Sequence, residues 1–246
     1  QEVQQETPAK DNPEEEFEHK VDQFADLAIL RYQVPGFDQL TVKEKQLVYY
    51  LSQAALSGRD IIYDQNYHHN LRIRKTLEAI VAGYTGERSG ADWEAFMTYT
   101  KRVWFSNGIH HHYSTRKLEP GFSQDYFALL VQNTEGDFPL MEGQDRAAFV
   151  DFLSPILFDP EVDAKRVNQS ESADIVAESA NNYYSEGVSA EEVKAFYERM
   201  RNSDGTEKDP LYGLNSKLVK EGGQLVEKTY KVGGMYSAAI EQIVYW

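Results

Sequence analysis

Residues 73–84, IRKTLEAIVAGY, and residues 93–104, WEAFMTYTKRVW, decide how this chain folds. In the first, Ile73, Leu77, Ile80, Val81 and Tyr84 fall three and four apart, so one face of a helix is apolar. In the second, Trp93, Phe96, Met97, Thr100 and Trp104 do the same. Two such stripes, rich in aromatic and branched side chains, predict helices that bury their faces in a common core. Working outward, Thr41 followed by Glu44 is a capping box, opening a helix with Leu47, Val48, Leu51, Ala54 and Ala55 on one face and stopping at Gly58. These stripes read as core. Val21, Phe24, Ala25 and Ala28 also fall at helical spacing, before Val34-Pro35-Gly36 turns the chain. Later helices are expected over Ser123–Asn133, Gln144–Leu153 and Ser189–Met200. The last is opened by Ser189 with Glu192 in capping-box register, and Asp159-Pro160 reads as an N-cap before a first-turn proline.

The texture changes near the C-terminus. Residues 214–220 and 224–232 are β-capable runs around Glu221-Gly222-Gly223, a hairpin signature. Tyr236, Ala239, Ile240, Ile243 and Val244 then mark an amphipathic helix that runs to Trp246 without a cap, which we read as a helix cut short. The fold class is therefore α+β, predominantly α-helical, with a small antiparallel β element near the C-terminus. We divide it into an acidic tail at 1–20, a helical body at 21–213 and a hairpin with its helix at 214–246. The tail carries Glu14, Glu15, Glu16 and Glu18 with hardly an apolar residue, the composition of a solvated tether. The chain opens on Gln1, which suggests a leader or longer precursor and leaves an extracytoplasmic location open.

Composition narrows the function. A formal net charge of −15 disfavours nucleic acid and anionic membranes as partners. With no cysteine, thiolate metal sites and thiol nucleophiles are excluded. No run of about 18 apolar residues is present to span a bilayer. The segment Asn107-Gly108-Ile109-His110-His111-His112-Tyr113 is the most unusual. Extended, it would put His110 and His112 on one face and His111 on the other. It admits three readings: a structural loop of stacked, hydrogen-bonded imidazoles, a ligand-facing wall, or a small metal site lacking an evident third ligand. His68 and His69 read as loop or cap residues. Asp204-Gly205 reads as an acidic turn, and Asn168-Gln169-Ser170 as a chance sequon. No phosphate loop, nucleophile elbow or H-E-x-x-H motif occurs, so no catalytic residue is nominated.

Residues 24–84, FADLAILRYQVPGFDQLTVKEKQLVYYLSQAALSGRDIIYDQNYHHNLRIRKTLEAIVAGY, resemble the N-terminal lobe of bacterial dipeptidyl peptidase III enzymes. The likeness continues through WFSNGIHHHYS, GFSQDYFALLVQN and the closing KVGGMYSAAIEQIVYW. It implies one lobe of a two-lobed zinc aminopeptidase that releases dipeptides from the N-terminus of oligopeptides. In that family zinc is held by H-E-x-x-G-H and E-E-x-R-A-D, and neither motif occurs in this sequence. The resemblance thus implies a zinc cofactor bound outside this chain, a C-terminal lobe as partner, an oligopeptide substrate, and no hydrolysis by this chain alone. The family's S-N-x-G-N-Y segment falls near Asn107–Tyr113, with a length difference and histidines in part of the pattern. On that basis Asn107, His110, His112 and Tyr113 are the expected substrate-cleft residues. The alternative is a non-catalytic helical peptide-binding module.

Overall fold

The computed structural model describes residues 17–204 and 213–246. Most of the acidic tail, and the expected Asp204-Gly205 turn from Gly205 on, lie outside the described residues. The chain divides into two compact units, one ending at Leu40 and the other spanning Thr41–Trp246.

The first unit holds an antiparallel hairpin, β1 (Lys20–Phe24) and β2 (Leu27–Leu30), followed by a short 3-10 turn over Phe37–Gln39. The helix expected from Val21, Phe24, Ala25 and Ala28 does not form. Leu27 and Ile29 are half-buried while Ala28 and Leu30 are exposed, so a period of two prevails over a helical spacing that rests on two alanines. Ala25 reverses the chain with a left-handed φ of 48°.

The second unit is mostly helical. Its elements are α1 (Val42–Ser57), α2 (Arg59–Asn66), α3 (Asn70–Gly83), α4 (Ala91–Ser106), α5 (Gln124–Gln132), α6 (Arg146–Phe158), α7 (Ala190–Asp204), the hairpin β3 (Ser216–Glu221) with β4 (Gln224–Thr229), and α8 (Ser237–Tyr245). The Thr41 box closes as expected: the Thr41 hydroxyl accepts from the Glu44 N–H at 3.3 Å, and the Glu44 carboxylate accepts from the Thr41 N–H at 2.8 Å. The Ser189 and Glu192 box closes in the same way at 3.2 and 3.0 Å. The β3–β4 turn uses Gly222 and Gly223 at φ of 58° and 81°, the positive values that a two-residue hairpin turn needs.

The core lies among α3, α4, α5 and α6. Ile73, Leu77, Ile80, Phe96, Val103, Phe127, Leu130, Phe149 and Leu153 are all essentially removed from solvent. Each contributes roughly 1.5–3 kcal/mol. The Arg146 guanidinium donates to the carbonyls of Val131, Thr134 and Gly136 at 2.9, 2.7 and 3.0 Å, satisfying the C-terminal end of α5 from the start of α6.

Three expectations are corrected. The α1 stripe is not core: Leu47, Val48 and Leu51 are 58%, 42% and 61% exposed. Amphipathic spacing says which face is apolar, not whether another element covers it. What α1 does meet is α8, with Tyr50 stacked on Trp246 at 6.3 Å. Second, α6 continues past Leu153 through Pro155 to Phe158. An interior proline costs about 3 kcal/mol, and burying Ile156 and Leu157 offsets it. Third, Asp159 opens no helix. It ends α6, and its carboxylate accepts from the Glu161 N–H at 2.9 Å in a local turn.

Candidate functional site

The histidine segment does not run extended. α4 ends at Asn107, whose left-handed φ of 52° leads into Gly108 at φ 141°. Asn70 fixes the path of the chain beyond this turn. Fully buried at the start of α3, its side-chain NH2 donates to the Tyr63 carbonyl at 3.0 Å and its oxygen accepts from the Ile109 N–H at 3.1 Å. A Cβ at position 108 would lie 2.0 Å from that amide nitrogen, so only glycine fits. The turn drives His110 inward to 1% exposure.

Buried there, the His110 Nε2 lies 2.7 Å from the Asp163 carbonyl. A carbonyl only accepts, so Nε2 carries the proton and Nδ1, which has no partner among the described residues, is the bare nitrogen. Burial pushes the His110 pKa down to about 4, against the Asp163 carbonyl that favours the charged ring. His111 instead accepts two backbone N–H groups, from Tyr113 and Ser114, at 3.2 and 3.1 Å. His112 turns out, exposed, with its ring edge-on to Phe105 at 4.9 Å. His110 and His112 thus do not share a face, because residues 112–114 form a turn. Tyr113 is 87% exposed.

These residues stand one bond behind a cleft. The segment from Asp159 to Val188 has little regular structure and is tied down piece by piece. Lys117 donates to the Ile156 carbonyl at 2.9 Å and to that of Val162. Residues Ala180, Asn181 and Asn182 donate their N–H groups to Lys165, Arg166 and Gln65 at 3.0, 3.1 and 2.9 Å. Tyr183 and Ser185 pair with Leu218 of β3 at 3.0 and 2.9 Å. Between this segment, the α2–α3 junction and β3 opens a polar cleft of about 660 Å³, lined by Tyr67, Asp163, Asn182, Tyr184, Glu186 and Lys217 among others. A second cavity of about 400 Å³ shares Val176, Asn181 and Tyr184 with it and includes Asn66 and Arg166.

Three of the expected residues connect to these walls, Asn107 and His112 through their carbonyls and His110 through its ring. Asn66 donates to the Asn107 carbonyl at 3.0 Å, and Arg166 to the His112 carbonyl at 3.3 Å. His110 holds the Asp163 carbonyl, fixing a residue whose own φ is a strained 49°.

The cleft is built from coupled polar groups. The buried Tyr67 hydroxyl donates to the Asp163 carboxylate at 2.5 Å, and desolvation with that carboxylate drives the phenol pKa far up, so it stays a donor. Lys217 donates to the Asn182 side-chain oxygen, whose NH2 donates to Asp64 at 2.9 Å. The Tyr236 hydroxyl donates to the same Asp64 oxygen at 2.5 Å. Burial lowers the Lys217 pKa, partly offset by Asp64. The His68 and His69 rings lie 3.8 Å apart, tilted to one another, where both line the cleft. Burial, then the neighbouring His68 and Arg72, lower His69 to about 4.

Such a wall offers donors, acceptors and charges of both signs. Among the described residues no three His, Asp or Glu side chains converge to hold a metal ion. Within the histidine segment His110 has its Nε2 engaged and its Nδ1 buried. No helix among the described residues is long and apolar enough to cross a membrane. Tyr67, Asp163, Asn182 and Lys217 escaped the sequence reading because they meet across the chain; Tyr67 and Asp163 are 96 residues apart. No protein-family model matches the chain, and no curated protein matches it.

Proposed function

We propose that the Thr41–Trp246 unit binds peptides in the cleft walled by Tyr67, Asp163, Asn182, Tyr184 and Lys217. The observation that carries this reading is the pairing of an open, polar cleft with tightly fixed donors and acceptors and no convergent metal ligands among the described residues. Binding needs ordered hydrogen-bonding groups and room for an extended backbone, and both are present. The finer reading rests on the sequence resemblance. In it the unit is one wall of a dipeptidyl peptidase III-like enzyme, with the zinc and the hydrolytic groups supplied by residues outside this chain. Asp163 and Glu186 then suit a peptide α-ammonium, a charge complementarity that also agrees with the acidic chain.

The test is calorimetric titration with a free-amine tetrapeptide and its N-acetylated form, alongside dipeptidyl-naphthylamide hydrolysis with and without chelator. Binding that weakens about tenfold on acetylation, as loss of a charge-assisted contact predicts, supports the reading. No binding of either peptide refutes it. Chelator-sensitive hydrolysis by the pure chain would refute the assignment of the zinc to other residues.

A further inference from the structure

A second groove, of about 620 Å³, opens on the other side of His68 and His69, between the start of α3, residues 139–141 and Phe152 of α6. Its chemistry differs from that of the cleft. Arg72 and Lys75, three residues apart on α3 and so on one face of it, both line the groove. Neither has a carboxylate partner among the described residues. The chain has 40 acidic against 25 basic residues, so a groove wall carrying two cations is opposite in sign to the chain as a whole. Arg74, between them, is paired with Asp60 at 2.7 Å and Glu78 at 3.3 Å. The Arg72 guanidinium instead lies over the Phe152 ring at 5.3 Å. That arrangement shields one face and leaves its N–H edge for a planar anion. Opposite, Leu140 and Met141 are 38% and 42% exposed and, with Leu71, make the remaining wall apolar.

We infer that this groove takes the C-terminal residue of a bound peptide, its carboxylate on Arg72 and Lys75 and an apolar side chain against Leu140, Met141 and Phe152. The inference rests on the peptide-binding reading above, because the groove and the cleft share His68 and His69 as a common wall. A peptide crossing that wall would meet Asp163 and Glu186 at one end and the two cations at the other. The apolar wall of the groove favours peptides with an apolar last residue.

The experiment compares a free-acid peptide ending in leucine with its C-terminal amide, on the wild-type chain and on Arg72→Gln/Lys75→Gln, at low salt and at about 0.5 M salt. The acid should bind about tenfold more tightly than the amide at low salt, and the ratio should shrink on screening. In the double variant the ratio should fall to one, with amide affinity unchanged, which also shows the variant folded. A ratio of one in the wild-type chain, or a ratio that survives the double variant, overturns the inference while leaving peptide binding intact. If neither peptide binds, the peptide-binding reading fails and the groove is judged by N-acetyl-leucine alone. Amide shifts at Leu71, Arg72 and Met141 that vanish in the double variant sustain an apolar-carboxylate site, and their absence removes it.

Discussion

Lowering the pH from 7 to 5 should unfold this protein more easily through one buried imidazole. Burial lowers the His110 pKa to about 4, whereas a histidine in the unfolded chain titrates near 6.5. As the pH falls the unfolded state takes up the proton first, so stability is complete above about 6.5 and drains away down to about 4. Across the whole window the difference is of order 3 kcal/mol at ~1.4 kcal/mol per pH unit, and about 2 kcal/mol of it is gone by pH 5. For a unit of this size that corresponds to a fall in Tm of roughly 4–8 °C. His69 adds slope of the same sign, reduced because its ring is partly exposed and solvent screens it. Carboxylates such as Asp174 and Glu192, whose pKa values are lowered by the hydrogen bonds they accept, act in the same direction at lower pH. The window from 6.5 to 5 therefore isolates the histidines. Urea unfolding at half-unit pH steps reads the slope, and His110→Gln supplies the control, since its amide can donate to the Asp163 carbonyl without titrating. The variant should lose about 1.4 kcal/mol per pH unit of slope whatever its absolute stability. An unchanged slope, or an NMR titration placing His110 near 6.5, would refute the reasoning.

Two further outcomes are expected at the same junction. Tyr67→Phe removes the buried hydroxyl bonded to Asp163 and should cost about 1–2 kcal/mol, the lower part of the range for a bond to a charged group because the carboxylate is solvent-exposed. Combined with Asp163→Asn in a double-mutant cycle it should show coupling near 1 kcal/mol, and additive effects would mean that the contact contributes nothing. Gly108→Ala places a Cβ 2.0 Å from the Asn70 amide in a backbone conformation that alanine avoids. It should lower the urea midpoint by the equivalent of about 2–4 kcal/mol, and wild-type melting would contradict the close packing of Gly108 on Asn70.

Much of the frame was legible in the residues. The α3 and α4 stripes become core, the capping boxes at Thr41 and Ser189 close, and the glycine turn at 222–223 joins two strands. These signals are local, each complete within a few residues of sequence. Where local signals misled, something non-local decided. Residues 21–28 had a weak helical spacing that strand pairing overrode. Leu47, Val48 and Leu51 had a good one, yet all three stay exposed among the described residues. The cleft was the least legible part, since Tyr67, Asp163, Asn182 and Lys217 sit in segments without periodicity and acquire meaning only when the 159–188 segment folds back on the helices. His68 and His69, read as loop or cap residues, form the wall that the cleft and groove share.

The histidine segment ties these levels together. Residues 107–113 stand out in the sequence because imidazoles and aromatics are concentrated there, as they are where a site contacts its ligand. In the structure the same residues act through carbonyls and one inward ring. Asn107 accepts from Asn66, His112 accepts from Arg166, and His110 holds the carbonyl of Asp163. Each of those partners lines a cavity wall. The rigid core at Asn70 and Gly108 thereby sets the position of a cleft carboxylate through a single imidazole. A change at His110 should alter peptide affinity by moving Asp163, and a change at Tyr113, which is 87% exposed and lines neither of these two cavities, should leave it unaltered.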